Sequence, residues 1–161
     1  MKHVQKRWLG PVPWETVLNI NQTLCHAQKT ESKANDKCFE AARQIWEKAV
    51  PKVMSLDEVL EVCRRCQDLG PFVFNNGNTF ASISTTLVED WTRALPAVEA
   101  QILRTTVSHY VAGQIARKEL LQVLRHVEVT WMAEAGTQTV AACPARPQAL
   151  QTPSLTVHPA E

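Results

Sequence analysis

The chain has 161 residues, of which 45% are hydrophobic and 20% charged, and its formal net charge is +1. This length is enough for one domain of ordinary size, or for one domain and a tail. The 17 lysines and arginines are balanced by 16 aspartates and glutamates. A chain with so little net charge lacks the positive field that holds a polyanion, which argues against a dedicated nucleic-acid-binding protein.

The sequence contains no segment typical of secretion or of a membrane span. A basic start is followed by residues 9–13, Leu-Gly-Pro-Val-Pro, which are too short and too rich in proline for the core of a signal peptide. The longest uncharged run, residues 69–88, is interrupted by Pro71 and by polar residues, unlike a transmembrane helix. We therefore expect a cytoplasmic protein with reduced thiols, and the glycosylation sequon at residues 21–23 is expected to stay unmodified. The five cysteines are Cys25, Cys38, Cys63, Cys66 and Cys143.

Residues 1–12 are predicted to form a flexible basic N-terminus, because no apolar period begins before Pro13. Their cations, which include Lys6 and Arg7, flank Trp8, a pattern that would suit contact with acidic lipid or an acidic partner. Membrane attachment usually needs a second signal. We therefore expect a solvated terminus and no membrane contact.

Two amphipathic helices are predicted next. Pro13 suits the first position of a helix, and apolar residues recur on one side of the chain from Trp14 to about residue 28. After a polar loop, Asn35 or Asp36 can cap a second helix. The second helix ends before Pro51, because the residue before a proline avoids helical geometry.

The third predicted helix has the clearest boundaries. Residues 55–58, Ser-Leu-Asp-Glu, form a capping box, in which the serine and the glutamate satisfy exposed backbone amides reciprocally. Gly70 and Pro71 provide a left-handed end and a block to continuation. Cys63 and Cys66 fall on the apolar half of this helix, which predicts that both thiols are buried.

Residues 72–80 allow two interpretations. Asn76-Gly77 between apolar residues is typical of a hairpin turn, but an isolated hairpin of this size needs a sheet to join, and no other strand is predicted. We therefore favour a loop whose aromatic side chains tuck under neighbouring helices. The helical period returns at Thr79 and continues to Leu95.

Two further helices complete the predicted domain. Pro96 opens a fifth helix, whose broad apolar arc includes Val98 and Ile102, so we expect it to be the most buried helix. A sixth is predicted from about residue 115 to 130. The fold of residues 13–131 is therefore all-α, with about six amphipathic helices in a bundle or an αα-superhelix.

Residues 132–161 are predicted to be a disordered tail rich in alanine, threonine and proline. The segment has four prolines and no amphipathic period, and its few large apolar groups cannot offset the entropy of ordering. Such an abrupt loss of pattern is equally typical of a natural tail and of an alternatively spliced or truncated product of a longer protein.

The cysteines are the candidate for metal chemistry. Cys63 and Cys66 have the CxxC spacing of a zinc or redox site, and Cys25 and Cys38 would complete a zinc ligand set. A second CxxC pair is missing, however, and small buried thiols are common on apolar helix faces. We therefore expect core cysteines and no cofactor, and we keep a small zinc-binding domain built on these four residues as the alternative.

No arrangement of residues in the sequence indicates catalysis. His109 is expected to be a partly buried imidazole beside Val98 and Ile102, and no carboxylate lies three or four residues from it. Nucleophile-elbow, phosphate-loop, dinucleotide and zinc-protease motifs are missing. The acidic residues are spread along polar helix faces. We therefore predict that the protein is not an enzyme.

The function that remains is a non-catalytic protein–protein interaction module, an adaptor or scaffold that acts in the cytosol. Its predicted partner surface is the uncharged stretch 72–80, because loops carry recognition more often than helix faces do. The predicted contact residues are Phe72, Phe74 and Phe80. The alternative is that Phe72 and Phe74 plug a gap between the third and fourth helices.

Overall fold

The computed structural model describes the backbone of residues 4–140 and the side chains of residues 4–130. Seven α-helices and no β-strand lie within this part of the chain, which confirms the predicted all-α fold. The helices are α1 (Trp14–Ala27), α2 (Phe39–Ala49), α3 (Leu56–Leu69), α4 (Asn76–Leu87), α5 (Glu89–Arg93), α6 (Ala97–Val111) and α7 (Arg117–Val140).

The helices close around one hydrophobic core. α4 packs against α1, α3 and α6, and α3 also packs against α6. Several of these contacts join helices that are not neighbours in sequence, which is the arrangement of a closed bundle and not of stacked hairpins. The largest fully buried side chains, Trp46, Tyr110 and Phe80, come from α2, α6 and α4.

The predicted limits of α3 are confirmed. The Ser55 backbone N–H donates to Glu58 Oε2 at 2.7 Å, as one half of the capping box. Gly70 ends the helix with a φ of 62°, a left-handed conformation that glycine adopts at little cost. Cys63 and Cys66 lie fully buried in the core, as the amphipathic pattern predicts.

The N-terminal segment belongs to the core. Trp8 and Leu9 are buried, and the Trp8 indole Nε1–H donates to the Met54 carbonyl oxygen at 2.8 Å. Lys6 and Met54 also exchange two backbone hydrogen bonds, of 3.1 and 3.2 Å; we call these contacts with Met54 the N-terminal clasp. The prediction of a solvated terminus is wrong for Trp8, Leu9 and Val12, which are buried, because buried side chains in an irregular segment leave no periodic signature.

The helix predicted from Thr79 to Leu95 starts earlier and is divided in two. α4 begins at Asn76, directly after Asn75 in the left-handed region with a φ of 63°. Val88, with a φ of −99° and a ψ of 4°, separates α4 from the short α5. Asparagine tolerates the left-handed region better than most residues, so the chain turns directly into α4 without forming a hairpin.

The prediction that the fifth helix is the most buried is wrong, because five of the 15 residues of α6 are buried, against six of the 14 residues of α3. Val98 of α6 is 67% exposed and Ile102 is 39% exposed. His109, predicted to be partly buried beside them, is exposed as well. The neighbouring helices cover one side of α6, and the apolar arc is broader than that contact face.

The last helix is longer than predicted. α7 continues to Val140, past the predicted boundary at residue 131, because alanine, methionine and glutamate favour a helix even where no apolar period remains. The rest of the predicted tail, residues 141–161, lies outside the described residues, and so do Cys143 and residues 1–3. Among the described helices, none combines the length and hydrophobicity that a membrane crossing requires.

Candidate interaction surface

The candidate surface lies on the turn between α3 and α4, residues 71–75. The Asn35 amide donates to the Pro71 carbonyl oxygen at 2.8 Å, and the Val73 amide donates to the Lys33 carbonyl oxygen at 2.9 Å. These two bonds form an isolated β-bridge that joins the turn to the segment before α2. The turn therefore has a fixed backbone on this side.

Two asparagine side chains hold the turn on its other side. Asn76 Oδ1 accepts from the Phe72 amide at 2.9 Å, and Asn76 Nδ2 donates to the Phe72 carbonyl oxygen at 2.7 Å. Asn21 of α1 is fully buried, and its Nδ2 donates to the Phe74 carbonyl oxygen at 2.9 Å and to Thr79 Oγ1 at 3.0 Å. Side chains from α1 and α4 thus replace the sheet that a hairpin would have needed.

Asn21 is a supporting residue that the sequence analysis missed. It lies four residues after Val17 and four before Cys25, in the middle of the apolar side of α1. Its Oδ1 accepts a hydrogen bond from the Ser32 hydroxyl at 2.8 Å, so both ends of the buried amide are satisfied. An asparagine within an apolar helix stripe is the signal that would have found it.

The structure separates the three predicted contact residues. Phe72 is 3% exposed and stacks on Trp14, with ring centroids 6.3 Å apart. Phe80 is fully buried, and its ring centroid lies 5.9 Å from that of Trp46. Both phenylalanines are core residues, so the structure leaves neither ring on the surface where a partner could contact it, and Phe72 packs against Trp14 of α1 and Phe39 of α2.

Phe74 has the opposite surroundings. Phe74 is 49% exposed, and its neighbour Val73 is 48% exposed. We call Val73 and Phe74 the apolar tip of the turn. The plug interpretation does not hold for Phe74, because about half of this residue remains exposed to water.

The four cysteines of residues 4–130 do not assemble into a metal site. Cys63 and Cys66 share the buried side of α3, where burial raises the pKa of Cys63 and raises that of Cys66 to about 12. Cys25 is buried and Cys38 is partly exposed at the start of α2. Within residues 4–130, no three side chains of histidine, cysteine, aspartate or glutamate are grouped so that they could hold a metal ion. The zinc-binding alternative therefore has no support in this part of the chain.

Two polar clusters join α3 to α6 and α7. The Tyr110 hydroxyl donates to the Glu61 carboxylate, and the Arg64 guanidinium lies over the Tyr110 ring at 5.0 Å. Burial, together with the Glu61 carboxylate, raises the pKa of Tyr110 to about 12, so the phenol stays protonated at neutral pH. Arg117 Nη2 donates to Asp57 Oδ2 at 2.7 Å. Each of these groups is paired, which fits a role in holding helices together.

The chemistry of the apolar tip limits what it can do. Val73 and Phe74 supply no acid, base or nucleophile, so this surface is suited to binding. Comparisons of the chain with protein-family models, with curated proteins and with solved structures found no match. Function is therefore inferred from the surface itself.

Proposed function

We propose that the protein is a non-catalytic helical interaction module, of the adaptor or scaffold kind, that binds a partner protein through the apolar tip. The observation that carries this proposal is that Val73 and Phe74 are half exposed on a backbone held by hydrogen bonds. Single exposed hydrophobic residues are common on protein surfaces. Here two are adjacent, and the buried amide of Asn21 fixes the backbone beneath them.

A rigid turn favours binding for a thermodynamic reason. The entropy of ordering the turn is lost when the protein folds, so it is not lost again on association. Aromatic side chains presented by loops are frequent anchors of interfaces. We expect the Phe74 ring to enter an apolar pocket of the partner, with polar groups of both proteins at the rim.

We also infer a cytoplasmic location. The four cysteines within the described residues are free thiols, and Cys38 among them is partly exposed, as is usual in a reducing compartment. Asn21, which heads the glycosylation sequon, has its amide buried and hydrogen-bonded. A folded chain therefore cannot present this residue for modification.

Site-specific photo-crosslinking in cells tests the proposed function. A photoreactive benzoyl-phenylalanine replaces Phe74 in one version of the full chain, and it replaces the exposed Val98 of α6 in a control version. We expect a discrete covalent adduct with another protein from position 74 that position 98 does not give. Mass spectrometry of the adduct identifies the partner.

Binding of the purified partner then tests the side chain directly. Phe74→Ala should weaken binding while leaving the melting temperature unchanged, because truncation of an exposed ring removes little stability. Val98→Ala is the matched control and should bind as the wild type does. The same adducts from both positions, or equal binding by wild type and Phe74→Ala, would contradict the proposal.

A further inference from the structure

A groove between α2 and α3, with a volume of about 490 Å³, offers a second surface with an apolar floor. Ile45 and Ala49 line the floor from α2 and Val62 lines it from α3, with Val53 and Met54 from the connecting loop. Ile45 and Val62 are half-buried, and Val53 is 56% exposed. The apolar faces of the two helices therefore extend beyond the core and meet solvent here, as they do in grooves that receive a helix.

Three cations surround this floor. Lys48, Lys52 and Arg65 line the groove and are exposed. None of them forms an ion pair with a side chain that the structure describes. Because the whole chain is nearly neutral, this positive charge is a local feature of the groove.

The one carboxylate in the lining, Glu58, offsets one of these three positive charges and leaves the lining with a net charge of +2. Glu58 Oε2 accepts the Ser55 backbone N–H at 2.7 Å and lies 2.9 Å from the Ser55 hydroxyl. It is committed to the capping box of α3. Lys48, Lys52 and Arg65 are thus available to negative groups from outside, and such complementarity steers partners and fixes their register.

We infer that this groove docks an acidic amphipathic helix of a partner protein. The apolar side chains of that helix lie on the floor, and its aspartates and glutamates pair with Lys48, Lys52 and Arg65. Ile45 and Ala49 are about one helical turn apart on α2, roughly 6 Å, and Lys52 follows the end of this helix, so the docked helix contacts the groove over a short length. The inference extends the interaction-module function but does not depend on the apolar tip.

The shape of the groove favours a helix over a membrane surface. Apolar side chains that enter a bilayer must reach past the charged residues around them. In this groove Ile45 and Val62 are half-buried, Ala49 and Met54 are buried and Val53 is the one exposed apolar residue, whereas both lysines and the arginine are exposed. An acidic helix is convex and can reach the apolar floor between the cations. A flat lipid surface contacts the cations first and stays away from the floor.

A library of random peptides displayed on phage, selected against the purified full-length chain, is the probe for this inference. We expect enriched peptides to carry apolar residues at helical spacing with aspartate or glutamate on the flanks. A labelled synthetic copy of one such peptide is then titrated with the protein and followed by fluorescence anisotropy. Its affinity should fall at high salt, because screening weakens contacts between exposed charges.

Paired charge reversals locate the binding site. Lys48→Glu/Lys52→Glu should lower the affinity for the peptide by about tenfold or more, because two attractive contacts become repulsive. Lys37→Glu/Lys118→Glu changes the net charge equally at exposed positions outside the groove and should leave the affinity unchanged. Thermal melts show that both variants fold.

Three outcomes would overturn the inference. In the first, no acidic peptide is enriched, or the enriched peptide binds Lys48→Glu/Lys52→Glu as tightly as wild type. In the second, Phe74→Ala abolishes binding of the enriched peptide and the charge-reversal variant keeps it. That result assigns the peptide to the apolar tip and supports the proposed function instead. In the third, no peptide binds but phosphatidylserine vesicles do, in a manner that Lys48→Glu/Lys52→Glu abolishes, which identifies a membrane surface.

Discussion

The side-chain amide of Asn21 donates a hydrogen bond of 2.9 Å to the carbonyl oxygen of Phe74, a residue 53 positions later in the chain. The contact fixes the turn that carries the apolar tip onto α1. It divides Phe74 between two roles, since its backbone belongs to the buried network and its ring to the surface. Stability and recognition can therefore be tested separately at this one residue.

Removal of the Asn21 amide should destabilise the protein. Asn21→Ala leaves the Phe74 carbonyl without its donor and the Ser32 hydroxyl without its acceptor, so we expect a loss of roughly 1–3 kcal/mol in the free energy of unfolding. Urea denaturation measures this loss in the free energy of unfolding. Thr23→Ala, which removes an exposed hydroxyl bonded to the Asn19 carbonyl, is the control and should change stability by less than about 0.5 kcal/mol.

Two phenylalanines of the same turn should respond differently to truncation. Phe72→Ala removes a buried ring that stacks on Trp14, so we expect a loss of about 3–5 kcal/mol in the free energy of unfolding. Phe74→Ala truncates a half-exposed ring and should cost less than about 0.5 kcal/mol. Chemical denaturation of both variants decides this, and similar losses in the two would contradict the assignment of Phe74 to the surface.

Asp57 predicts a dependence of stability on acidic pH. Burial alone raises the pKa of this carboxyl, but hydrogen bonds from Arg117 and Ser55 outweigh burial and lower the pKa below its usual value of 3.8. A group whose pKa is lower in the folded chain stabilises the fold above its unfolded pKa. That contribution is lost as the pH falls through the folded pKa.

A substitution of Arg117 isolates its contribution to the pH-dependent stability that Asp57 provides. Arg117→Ala should be less stable than wild type at neutral pH, and the difference should shrink as the pH falls below about 3.8 and through the lower pKa that Asp57 has in the folded chain. Urea denaturation across this range measures the difference. Lys118→Ala, an exposed neighbour on α7, should show no such dependence, and a constant difference for Arg117→Ala would contradict the role given to Asp57.

The thiols should differ in reactivity. Cys38 is partly exposed, whereas Cys63 and Cys66 are buried and burial raises the pKa of both. Iodoacetamide should therefore alkylate Cys38 in the native protein and reach the other two once denaturant is added, because the reaction needs an accessible thiolate. Peptide mass spectrometry reports the labelling of each cysteine. Labelling of Cys63 or Cys66 as fast as that of Cys38 would contradict their burial in the core.

The sequence was sufficient where the signals are local. α3 is delimited by Ser55 with Glu58 at one end and by Gly70 at the other, and each acts on backbone groups a few residues away. The burial of Cys63 and Cys66 follows from helical periodicity within the same segment. Interactions of this kind are complete within one turn of helix and can be read without the rest of the fold.

The errors concern residues whose surroundings come from distant segments. Phe72 and Phe74 belong to the same uncharged run, yet Trp14 of α1 stacks on the first and leaves the second half exposed. The turn has no strand partner, and its support comes from Asn21, which no local pattern connects to it. These outcomes depend on which helix packs where, and a single sequence carries no periodic record of that.

The N-terminal clasp has a consequence for the chain during synthesis on the ribosome. Trp8 is made first, but its acceptor Met54 follows 46 residues later, which at about 5–20 residues per second is a delay of roughly 2–9 s. During this interval the indole and Leu9 lack their core partners, so they are exposed apolar groups on the nascent chain. Within residues 4–130, Trp8 and Leu9 are thus the part of the core that is translated earliest and buried late.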